Sequence, residues 1–392
     1  MQPLSEKEQA ALCGLLREAA DDLGAPVPAE WAKAVTAAPR HRFLPPRVWL
    51  IEGDGYAPCD AEQEPDRWLE AAYADAPVVT QVNDGQDPGD EDVWPSSSAS
   101  APSIVLRMLR ELDVRDGMNV LEIGTGTGWN AGLLSARLGS DRVTTVEVDL
   151  GLADQATDML KRAGYDPCVV GADGAEGHAA RGPYDRVIAT CSVQEVPYPW
   201  VAQTRPGGVI LTPWETPWFC YGLLRLTVEE DGSASGRFSP HSAFMLMRGQ
   251  RIDLRIFRDV VRDEHTPVES CTSLSPWSVT GDDWTARFAV GMQLRDVWHT
   301  WQDEPDLDGV QRRLWVATAD AKSWAAVDWD GHREDRFTVW QHGPRRLWDE
   351  VEAAHLWWLS AGMPRPEEFG LTVTPEGERF WLRFPDKVVS SY

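Results

Sequence analysis

Three glycines alternate with threonines after a short apolar run, in the stretch Val120-Leu-Glu-Ile-Gly124-Thr-Gly126-Thr-Gly128. This pattern indicates a buried strand followed by a tight turn and a helix. Glycines at such a turn let backbone N–H groups approach a ligand at the carboxyl edge of a parallel sheet. A dinucleotide fingerprint needs a further glycine where this chain has Trp129. The turn therefore favours a nucleoside with an amino-acid tail over a pyrophosphate.

Acidic residues accompany the glycine turn at the spacing that a nucleoside site requires. Glu122 lies in the predicted strand before the turn, and Glu147 lies 19 residues beyond Gly128, at the end of the next predicted strand. A carboxylate at that second position can accept hydrogen bonds from both hydroxyls of a ribose. Asp173-Gly174 follows the third predicted strand, where we expect it to flank an adenine. A tight turn alone also needs glycine, but the three features together predict an S-adenosylmethionine site.

Strands and helices alternate around this turn. Apolar periodicity predicts strands at 119–123, 143–148, 168–170, 184–190 and 208–212, with helices before and between them. This order predicts a doubly wound, largely parallel α/β sheet. Helical spacing fills most of the first fifty residues, and after Tyr221 the alternation gives way to a mixed α+β pattern.

The segment 51–103 is rich in Pro, Gly, Asp and Ser. It contains an acidic tract at 83–92 and a serine-rich run at 95–100. This composition predicts a long loop that lies over the site. The acidic tract is expected to be a solvated loop, or alternatively a contact for a basic part of a peptide.

The composition excludes several classes of partner. The 392 residues include 37 Lys and Arg against 62 Asp and Glu, a formal net charge of −25. Such a field repels phosphate backbones and anionic lipids, so we expect neither nucleic acid nor a membrane as a partner. There is no apolar run of about 20 residues and no signal-peptide pattern at the start. The six cysteines form no CxxC pair, which predicts a cytoplasmic protein with neither a metal site nor a disulfide framework.

Tryptophan is concentrated in the second half of the chain. Twelve of the twenty tryptophans follow residue 270. An indole combines a large apolar area with one hydrogen-bond donor, so these residues suit either a core or a groove that holds a peptide.

Several segments between residues 29 and 213 form a distinctive series: Ala38-Pro-Arg-His-Arg-Phe-Leu-Pro45, Tyr73-Ala-Asp75, Ser100-Ala-Pro102, the glycine turn, Gly171-Ala-Asp-Gly174, Tyr184-Asp185 and Arg205-Pro-Gly-Gly208. In their sequence and order these segments resemble the protein-L-isoaspartate O-methyltransferase family. The resemblance implies a class I methyltransferase fold, with a segment that closes over the cofactor and carries the acceptor serine. That family's Thr-Ile-Ser-x-Pro segment matches Ser98-Ala-Ser100-Ala-Pro102 here.

Two departures resemble one branch of that family. The link before the serine is lengthened by the acidic tract, and about 170 residues are appended after the methyltransferase pattern. The serine run, Gly343-Pro-Arg-Arg-Leu-Trp-Asp-Glu-Val-Glu352 and Phe369-Gly-Leu-Thr-Val-Thr374 look like the methyltransferases that accompany ATP-grasp peptide maturases and some lanthipeptide systems. That resemblance implies a precursor peptide substrate, already cross-linked by an ATP-grasp ligase, in which a methylated Asp becomes an aspartimide.

The candidate site follows from these features. Ser100 and Ser98 are the candidate catalytic residues. The candidate cofactor-binding residues are Ser97, Ala99, Glu122, Gly124, Thr125, Gly126, Thr127, Gly128, Asn130, Glu147, Val148, Asp173, Gly174 and Thr190. A carboxylate is ionised at pH 7, so it needs no general base before it attacks a sulfonium methyl, and positioning is the main task.

Three features of the sequence also have a purely structural interpretation. Ser96 to Ser100 can be a flexible linker instead of an acceptor segment. His41 is expected to be structural rather than catalytic. Cys191, at the end of the fourth strand, is expected to be a small apolar wall rather than a reactive thiol.

The chain is thus divided into an N-terminal helical segment (1–50), a loop region covering the active site (51–103), an S-adenosylmethionine-binding domain (104–221) and a C-terminal α+β peptide-recognition domain (222–392). The expected function is esterification of an aspartyl or isoaspartyl carboxylate in a peptide. The alternatives are a general isoaspartate repair methyltransferase and a non-catalytic peptide-binding partner.

Overall fold

The structure is a computed structural model that describes residues 3–53, 55–86, 93–240, 242–304, 309–331 and 335–391. The chain divides into two compact units. Unit 1 contains residues 1–191, 197–212 and 225–234, and unit 2 contains residues 192–196, 213–224 and 235–392.

Helices and strands are numbered in chain order. The α-helices of the described chain are α1 (Glu6–Leu23), α2 (Ala29–Ala37), α3 (Pro65–Tyr73), α4 (Pro102–Leu112), α5 (Trp129–Leu138), α6 (Leu150–Arg162), α7 (Tyr198–Ala202), α8 (Trp277–Thr280), α9 (Trp284–Gln293) and α10 (Leu347–Ser360).

The β-strands are β1 (Arg47–Glu52), β2 (Gly55–Asp60), β3 (Val78–Val82), β4 (Pro95–Ala99), β5 (Val120–Ile123), β6 (Val143–Glu147), β7 (Cys168–Gly171), β8 (Tyr184–Ala189), β9 (Thr204–Thr216), β10 (Phe219–Val228), β11 (Ala234–Pro240), β12 (Val268–Thr272), β13 (Val297–Asp303), β14 (Arg312–Thr318), β15 (Trp324–Trp329), β16 (Phe337–His342), β17 (Phe369–Thr374), β18 (Gly377–Leu382) and β19 (Val388–Ser391).

The sheet of unit 1 confirms the predicted α/β class. Its strands run in the order β9-β8-β5-β6-β7, and every neighbouring pair is parallel. Ile123 at the end of β5 pairs with Val146 of β6 and with Ala189 of β8. The order reverses beside β5, and ligands bind outside the carboxyl ends of strands at such a switch point. The glycine turn therefore begins where a ligand is expected.

The N-terminal helices form as the sequence predicts. Ser5 and Glu8 form a reciprocal capping box at the start of α1, and Gly24 ends that helix in a left-handed conformation. The buried face of α1 consists of Leu12, Leu15 and Ala19. This spacing of three and four residues gives an amphipathic helix.

The segment 51–103 is not the single long loop that its composition suggests. Strands β1 to β4 form an antiparallel sheet in the order β2-β1-β3-β4, and α3 lies between β2 and β3. Strand β2 contains Gly and Pro, and β4 consists largely of serine. Such strands show almost no apolar alternation, so the sequence of this segment does not indicate a sheet. Part of the acidic tract, residues 87–92, lies outside the described residues.

Unit 2 is a mixed α+β structure. An antiparallel sheet in the order β12-β16-β15-β14-β13 accompanies helices α8 to α10. Trp214, Phe238, Phe288 and Phe380 form an aromatic core, with ring centroids 5.0–6.3 Å apart. The expected boundary at Tyr221 falls inside β10, whose residues are shared between the two units. The functional division of the chain at that residue stays a prediction.

The tryptophans after residue 270 divide between the core and the surface of unit 2. Five of them are buried: Trp315, Trp324, Trp348, Trp358 and Trp381. Trp277 and Trp284 are exposed. The core interpretation is confirmed for these five buried residues, and a groove that holds a peptide stays a prediction.

Among the described residues, no helix combines the length and the apolar character that a bilayer crossing requires.

Candidate active site

The glycine turn adopts backbone angles that other residues rarely adopt. The φ angles of Gly124, Gly126 and Gly128 are 91°, 53° and 82°. A Cβ on Gly124 would stand 2.7 Å from Thr190 Oγ1, which donates to the carbonyl of Ile123 at 3.1 Å. The end of β8 thus closes over the turn, and only glycine fits there.

Glu147 holds the turn from the neighbouring strand. Its Oε2 accepts from the Gly126 N–H at 2.9 Å, and its Oε1 accepts from the Asp149 N–H at 3.1 Å. Each carboxylate oxygen has two lone pairs, so one acceptor position on each oxygen remains for a ligand hydroxyl. Directly after it, Val148 is 46% exposed and Leu150 is 66% exposed. Apolar side chains left in solvent beside a carboxylate suit the base and the ribose of a nucleoside.

Glu122 lies beneath the turn rather than at its surface. It is fully buried, with Oε1 accepting from Asn130 Nδ2 at 2.7 Å and Oε2 from Thr145 Oγ1 at 2.5 Å. Thr125 shares a hydrogen bond with Thr145 at 2.6 Å. Burial raises the pKa of Glu122 to about 7, and the nearby Glu147 adds to that rise. The structure therefore gives Glu122, Thr125 and Asn130 a part in supporting the turn from within.

Asp173 and Gly174 follow β7 as predicted. Asp173 is exposed, and its Oδ1 accepts from the Ala175 N–H at 2.9 Å. Gly174 is buried, and its carbonyl accepts from Trp200 Nε1 at 2.8 Å. Asp173 is thus available to a ligand at the same sheet edge, whereas Gly174 anchors the loop to α7.

The serine run forms strand β4 and reaches the glycine turn. Ser98 pairs with Val79 of β3, so the reading of this run as a flexible linker is wrong. A Cβ on Gly126 would lie 3.8 Å from Ser97 Oγ and 3.9 Å from the Ser98 carbonyl oxygen. Residues that are about thirty positions apart in sequence therefore meet at one place.

The serine hydroxyls differ in their environment. Ser96 Oγ donates to Gln81 Oε1 at 2.8 Å, and Ser97 Oγ lies 3.5 Å from Thr80 Oγ1. The hydroxyls of Ser98 and Ser100 have no hydrogen-bond partner among the described residues, and both residues are half-buried. These two hydroxyls are therefore free to meet a substrate.

Arg40 holds the backbone of the predicted acceptor segment, a role that no motif in the sequence indicates. Its guanidinium is fully buried and donates to the carbonyls of Ala99 at 2.8 Å and Ser100 at 2.9 Å. In the sequence, Arg40 belongs to an Arg-His-Arg triplet whose histidine, His41, is the more obvious candidate for a functional role. His41 Nδ1 lies 2.6 Å from the Tyr73 hydroxyl, and burial lowers the pKa of its imidazole. The structural reading of His41 agrees with this environment.

The remaining predicted residues differ in their exposure. Thr127 and Ala99 are buried, and Val148 is exposed at the sheet edge. Cys191 is half-buried and lies directly after Thr190. Within the part of the chain that the structure describes, no group of three or more His, Cys, Asp or Glu side chains could hold a metal ion.

Comparisons with known proteins agree with this geometry. The sequence profile of Protein-L-isoaspartate(D-aspartate) O-methyltransferase matches residues 61–246. The protein-L-isoaspartate O-methyltransferase of Pyrococcus horikoshii is 34% identical over 186 residues, which are 47% of this chain and 78% of that protein. The enzyme of the same name from Pyrococcus abyssi is 36% identical over 154 residues, 39% of this chain and 71% of its own.

A solved structure of a protein-L-isoaspartate O-methyltransferase has the same fold. The two align with a TM-score of 0.53 and 22% identity, over 96% of this chain and 100% of that one. The class I methyltransferase fold is thereby confirmed, and its cofactor, S-adenosylmethionine, fits the carboxylate, the glycine turn and the exposed apolar residues described above. The chain belongs to the protein-L-isoaspartate O-methyltransferase family and is an S-adenosylmethionine-dependent methyltransferase.

Proposed function

We propose that this chain esterifies an aspartyl or isoaspartyl carboxylate in a ribosomally made precursor peptide that an ATP-grasp ligase has already cross-linked. The ester then closes to a succinimide. The observation that carries the acceptor assignment is the pair of unpartnered hydroxyls of Ser98, on the strand that touches the glycine turn, and Ser100, directly after that strand. We place the reaction in the cytoplasm, consistent with the free thiols of Cys13, Cys59 and Cys168.

The cofactor side of the site is formed by the edge of the parallel sheet. Glu147 would hold the ribose, the turn from Gly124 to Gly128 would receive the amino-acid tail, and Val148 and Asp173 would border the base. Bound S-adenosylmethionine supplies an electrophilic methyl group on a sulfonium sulfur.

The acceptor side orients a carboxylate that is already ionised. Hydroxyls from Ser98 and Ser100 can donate to one carboxylate oxygen and leave the other free to attack. Helix α4 begins at Pro102, so the positive end of its dipole lies close to the same segment. Neutral donors suit this reaction because the negative charge of the acceptor disappears in the transition state. A lysine at this place would stabilise the ground state more than the transition state.

The succinimide needs no further group from the protein. The backbone nitrogen that follows the methylated residue attacks the ester carbonyl, a new C–N bond forms, and the C–O bond to the methoxy group breaks. The proton of that nitrogen leaves with the methoxy group as methanol.

Unit 2 offers an apolar surface for a peptide. Trp277 is 40% exposed, and its ring centroid lies 5.6 Å from that of Trp329 and 5.7 Å from that of Trp301. Clustered indoles that remain accessible to solvent are frequent anchors for peptide side chains. Together with the similarity of the serine run and the C-terminal segments to the peptide-modifying branch, this cluster supports a dedicated peptide substrate.

A general repair methyltransferase is the second candidate. The archaeal relatives named protein-L-isoaspartate O-methyltransferase are matched over 78% and 71% of their own length, which favours a methyltransferase unit of that kind. A repair enzyme accepts isoaspartate in many sequence contexts, so it can use few contacts beyond the acceptor and its neighbours.

The two candidates are separated by substrate preference in the full-length protein. The cross-linked precursor peptide and an unrelated isoaspartyl peptide are incubated with S-adenosylmethionine, and mass spectrometry follows the gain of one methyl group and the later loss of methanol. The dedicated enzyme is expected to methylate the precursor at least tenfold faster. Comparable rates on both peptides would favour repair.

A variant of the aromatic cluster sharpens this comparison. Trp277→Ala should raise the KM for the precursor and leave the rate on the unrelated peptide unchanged, because the proposal assigns contact with the aromatic cluster to the precursor alone. Phe384→Ala is the matched control, since Phe384 is also exposed in unit 2 and is 62% accessible. Equal loss on both peptides would refute a role of Trp277 in recognition.

A further inference from the structure

Arg40 makes hydrogen bonds to two separate stretches of backbone. Its Nη1 lies 3.2 Å from the carbonyl oxygens of Ala72 and Ala74, and its Nη2 lies 3.0 Å from that of Ala76. The same Nη2 donates to the carbonyls of Ala99 and Ser100. The planar fork of a guanidinium can bridge both stretches, because its donors diverge in fixed directions.

A fully buried cation with carbonyl partners is a costly arrangement. Taking a charge out of water is unfavourable unless hydrogen bonds and an opposite charge compensate it. Burial lowers the pKa of Arg40 to about 9, with Asp75 opposing that shift, so the guanidinium is charged at pH 7. The backbone that it fixes belongs to the acceptor segment, which gives this cost a functional reason.

The hydrogen bonds of Arg40 set the direction of two peptide dipoles. The carbonyl oxygens of Ala99 and Ser100 turn toward the buried guanidinium. Their negative ends are thereby held away from an incoming carboxylate, which would otherwise be repelled by them. Ser100 itself stays half-buried with its hydroxyl available.

Two further residues tie this arrangement to its surroundings. Asp75 Oδ1 accepts from the Ser103 N–H at 2.8 Å and so fixes the first turn of α4 behind Ser100. Trp129, the first residue of α5 after the glycine turn, lies with its ring 5.5 Å from the guanidinium carbon of Arg40. Its Nε1 donates to the Ala38 carbonyl at 2.9 Å. The residue that departs from the dinucleotide fingerprint thus covers the buried arginine.

We propose that Arg40, backed by Trp129 and Asp75, is a positioning residue for methyl transfer: it fixes the backbone of Ala99 and Ser100 against the glycine turn, so that the acceptor serine is held at the cofactor before substrate arrives. This inference rests on the proposed role of Ser100. Because Arg40 is fully buried, its proposed action is through the backbone of the acceptor segment and not through contact with substrate or cofactor.

The test uses Arg40→Lys in the full-length protein. Lysine keeps the charge, but its three donors on one atom cannot reach both stretches of backbone. The substrate is the faster-methylated of the two peptides, the cross-linked precursor or the unrelated isoaspartyl peptide. The kcat of Arg40→Lys is expected to fall by about 10- to 100-fold, as for a small misplacement of a reacting group. The affinity for S-adenosylhomocysteine, measured by calorimetry, is expected to stay within threefold.

A matched control separates positioning from general stability. Arg186 is also a buried arginine of unit 1 that donates to backbone carbonyls, those of Leu112, Asp113 and Asp185. Arg186→Lys should lower the urea midpoint without lowering kcat. Hydrogen exchange in the cofactor-free protein should become at least tenfold faster at the backbone amides between residues 99 and 103, Pro102 having none, in Arg40→Lys and not in Arg186→Lys.

A double-mutant cycle shows whether Arg40 acts through Ser100. If it does, Arg40→Lys should change kcat by less than twofold in a Ser100→Ala background, since the positioned group is already gone. Independent, multiplying effects would overturn the proposal, and so would faster exchange at 99–103 with an unchanged kcat. If Arg40→Lys fails to fold, Trp129→Phe replaces it, because it keeps an aromatic ring over the guanidinium and loses the bond to Ala38.

The outcomes of this cycle also distinguish failure of the acceptor assignment from failure of the inference about Arg40 alone. Full activity of Ser100→Ala would refute the acceptor assignment in the proposed function, and with it the inference about Arg40. Loss of activity in Ser100→Ala together with full activity in Arg40→Lys would refute the inference about Arg40 alone.

Discussion

Replacing Glu147 with Gln tests the cofactor site most directly. The carboxylate accepts one backbone N–H on each oxygen and retains one acceptor position on each for a ribose hydroxyl. A Gln side chain has the same shape, but it carries no charge and presents an amide donor where one of these acceptors stood. Hydrogen bonds to a charged group contribute about 1.5–3 kcal/mol each to stability or binding. Glu147→Gln is therefore expected to weaken cofactor binding by about 1.5–3 kcal/mol, or roughly 10- to 150-fold in Kd.

The assay is a calorimetric titration of the full-length protein with S-adenosylhomocysteine. Urea denaturation of the same variant checks that it is folded, because the amide also faces the N–H groups of Gly126 and Asp149. Glu176→Gln is the control, since Glu176 is exposed and follows the third strand of the same sheet edge. Unchanged affinity in a folded Glu147→Gln protein would refute the assignment of this residue to the ribose.

Two further predictions concern the acceptor and the buried acid. Ser100→Ala should lower kcat with peptide and leave the cofactor affinity within a few-fold. Ser96→Ala is the control and should keep kcat, because the Ser96 hydroxyl is already bonded to Gln81. Equal activity of both variants would remove Ser100 from the acceptor site. Burial raises the pKa of Glu122 from 4.5 to about 7, so the folded state keeps the carboxyl proton up to a higher pH than the unfolded state does. The free energy of unfolding therefore falls as the pH rises between these two values. Relative to Glu122→Gln, the wild-type protein should lose about 3 kcal/mol of unfolding free energy across that window; parallel urea curves for the two proteins at all pH values would contradict this.

The parallel sheet could be predicted because its signals are local. The strands around the glycine turn are short apolar runs, and the helices between them have a clear apolar stripe, as in α4 with Val105, Leu109 and Leu112. The antiparallel sheet of residues 47–99 carries this signal only weakly, since an apolar run of four residues occurs in β1 while β2 and β4 contain Gly, Pro and Ser. Strand β4 contains three successive serines, and its pairing with β3 depends on partners about twenty residues away. Local propensity does not reveal pairing of that kind.

The site was predicted by residue type, and its organisation depends on position within each strand. Glu122, Glu147 and Asp173 are all acids at one sheet edge, yet their side chains range from fully buried to exposed. Glu122 lies inside β5 and turns beneath the helix that follows, where Asn130 meets it. Glu147 ends β6 and is 7% exposed. The spacing in the sequence does not separate these cases, because it shows neither the depth of a side chain nor its partners.

Charge explains why a carboxylate acceptor needs the arrangement found around Ser100. The protein has a net charge of −25, and an anionic substrate must approach it against that field. A free cation at the acceptor would favour approach but would also stabilise the ground state, whose charge is lost on methylation. The structure meets both demands differently: the cation of Arg40 is buried behind the backbone, where it turns the carbonyls of Ala99 and Ser100 inward. In the proposed site a substrate would face a pair of neutral hydroxyls and the start of α4, which can orient a carboxylate without holding it back from the methyl group.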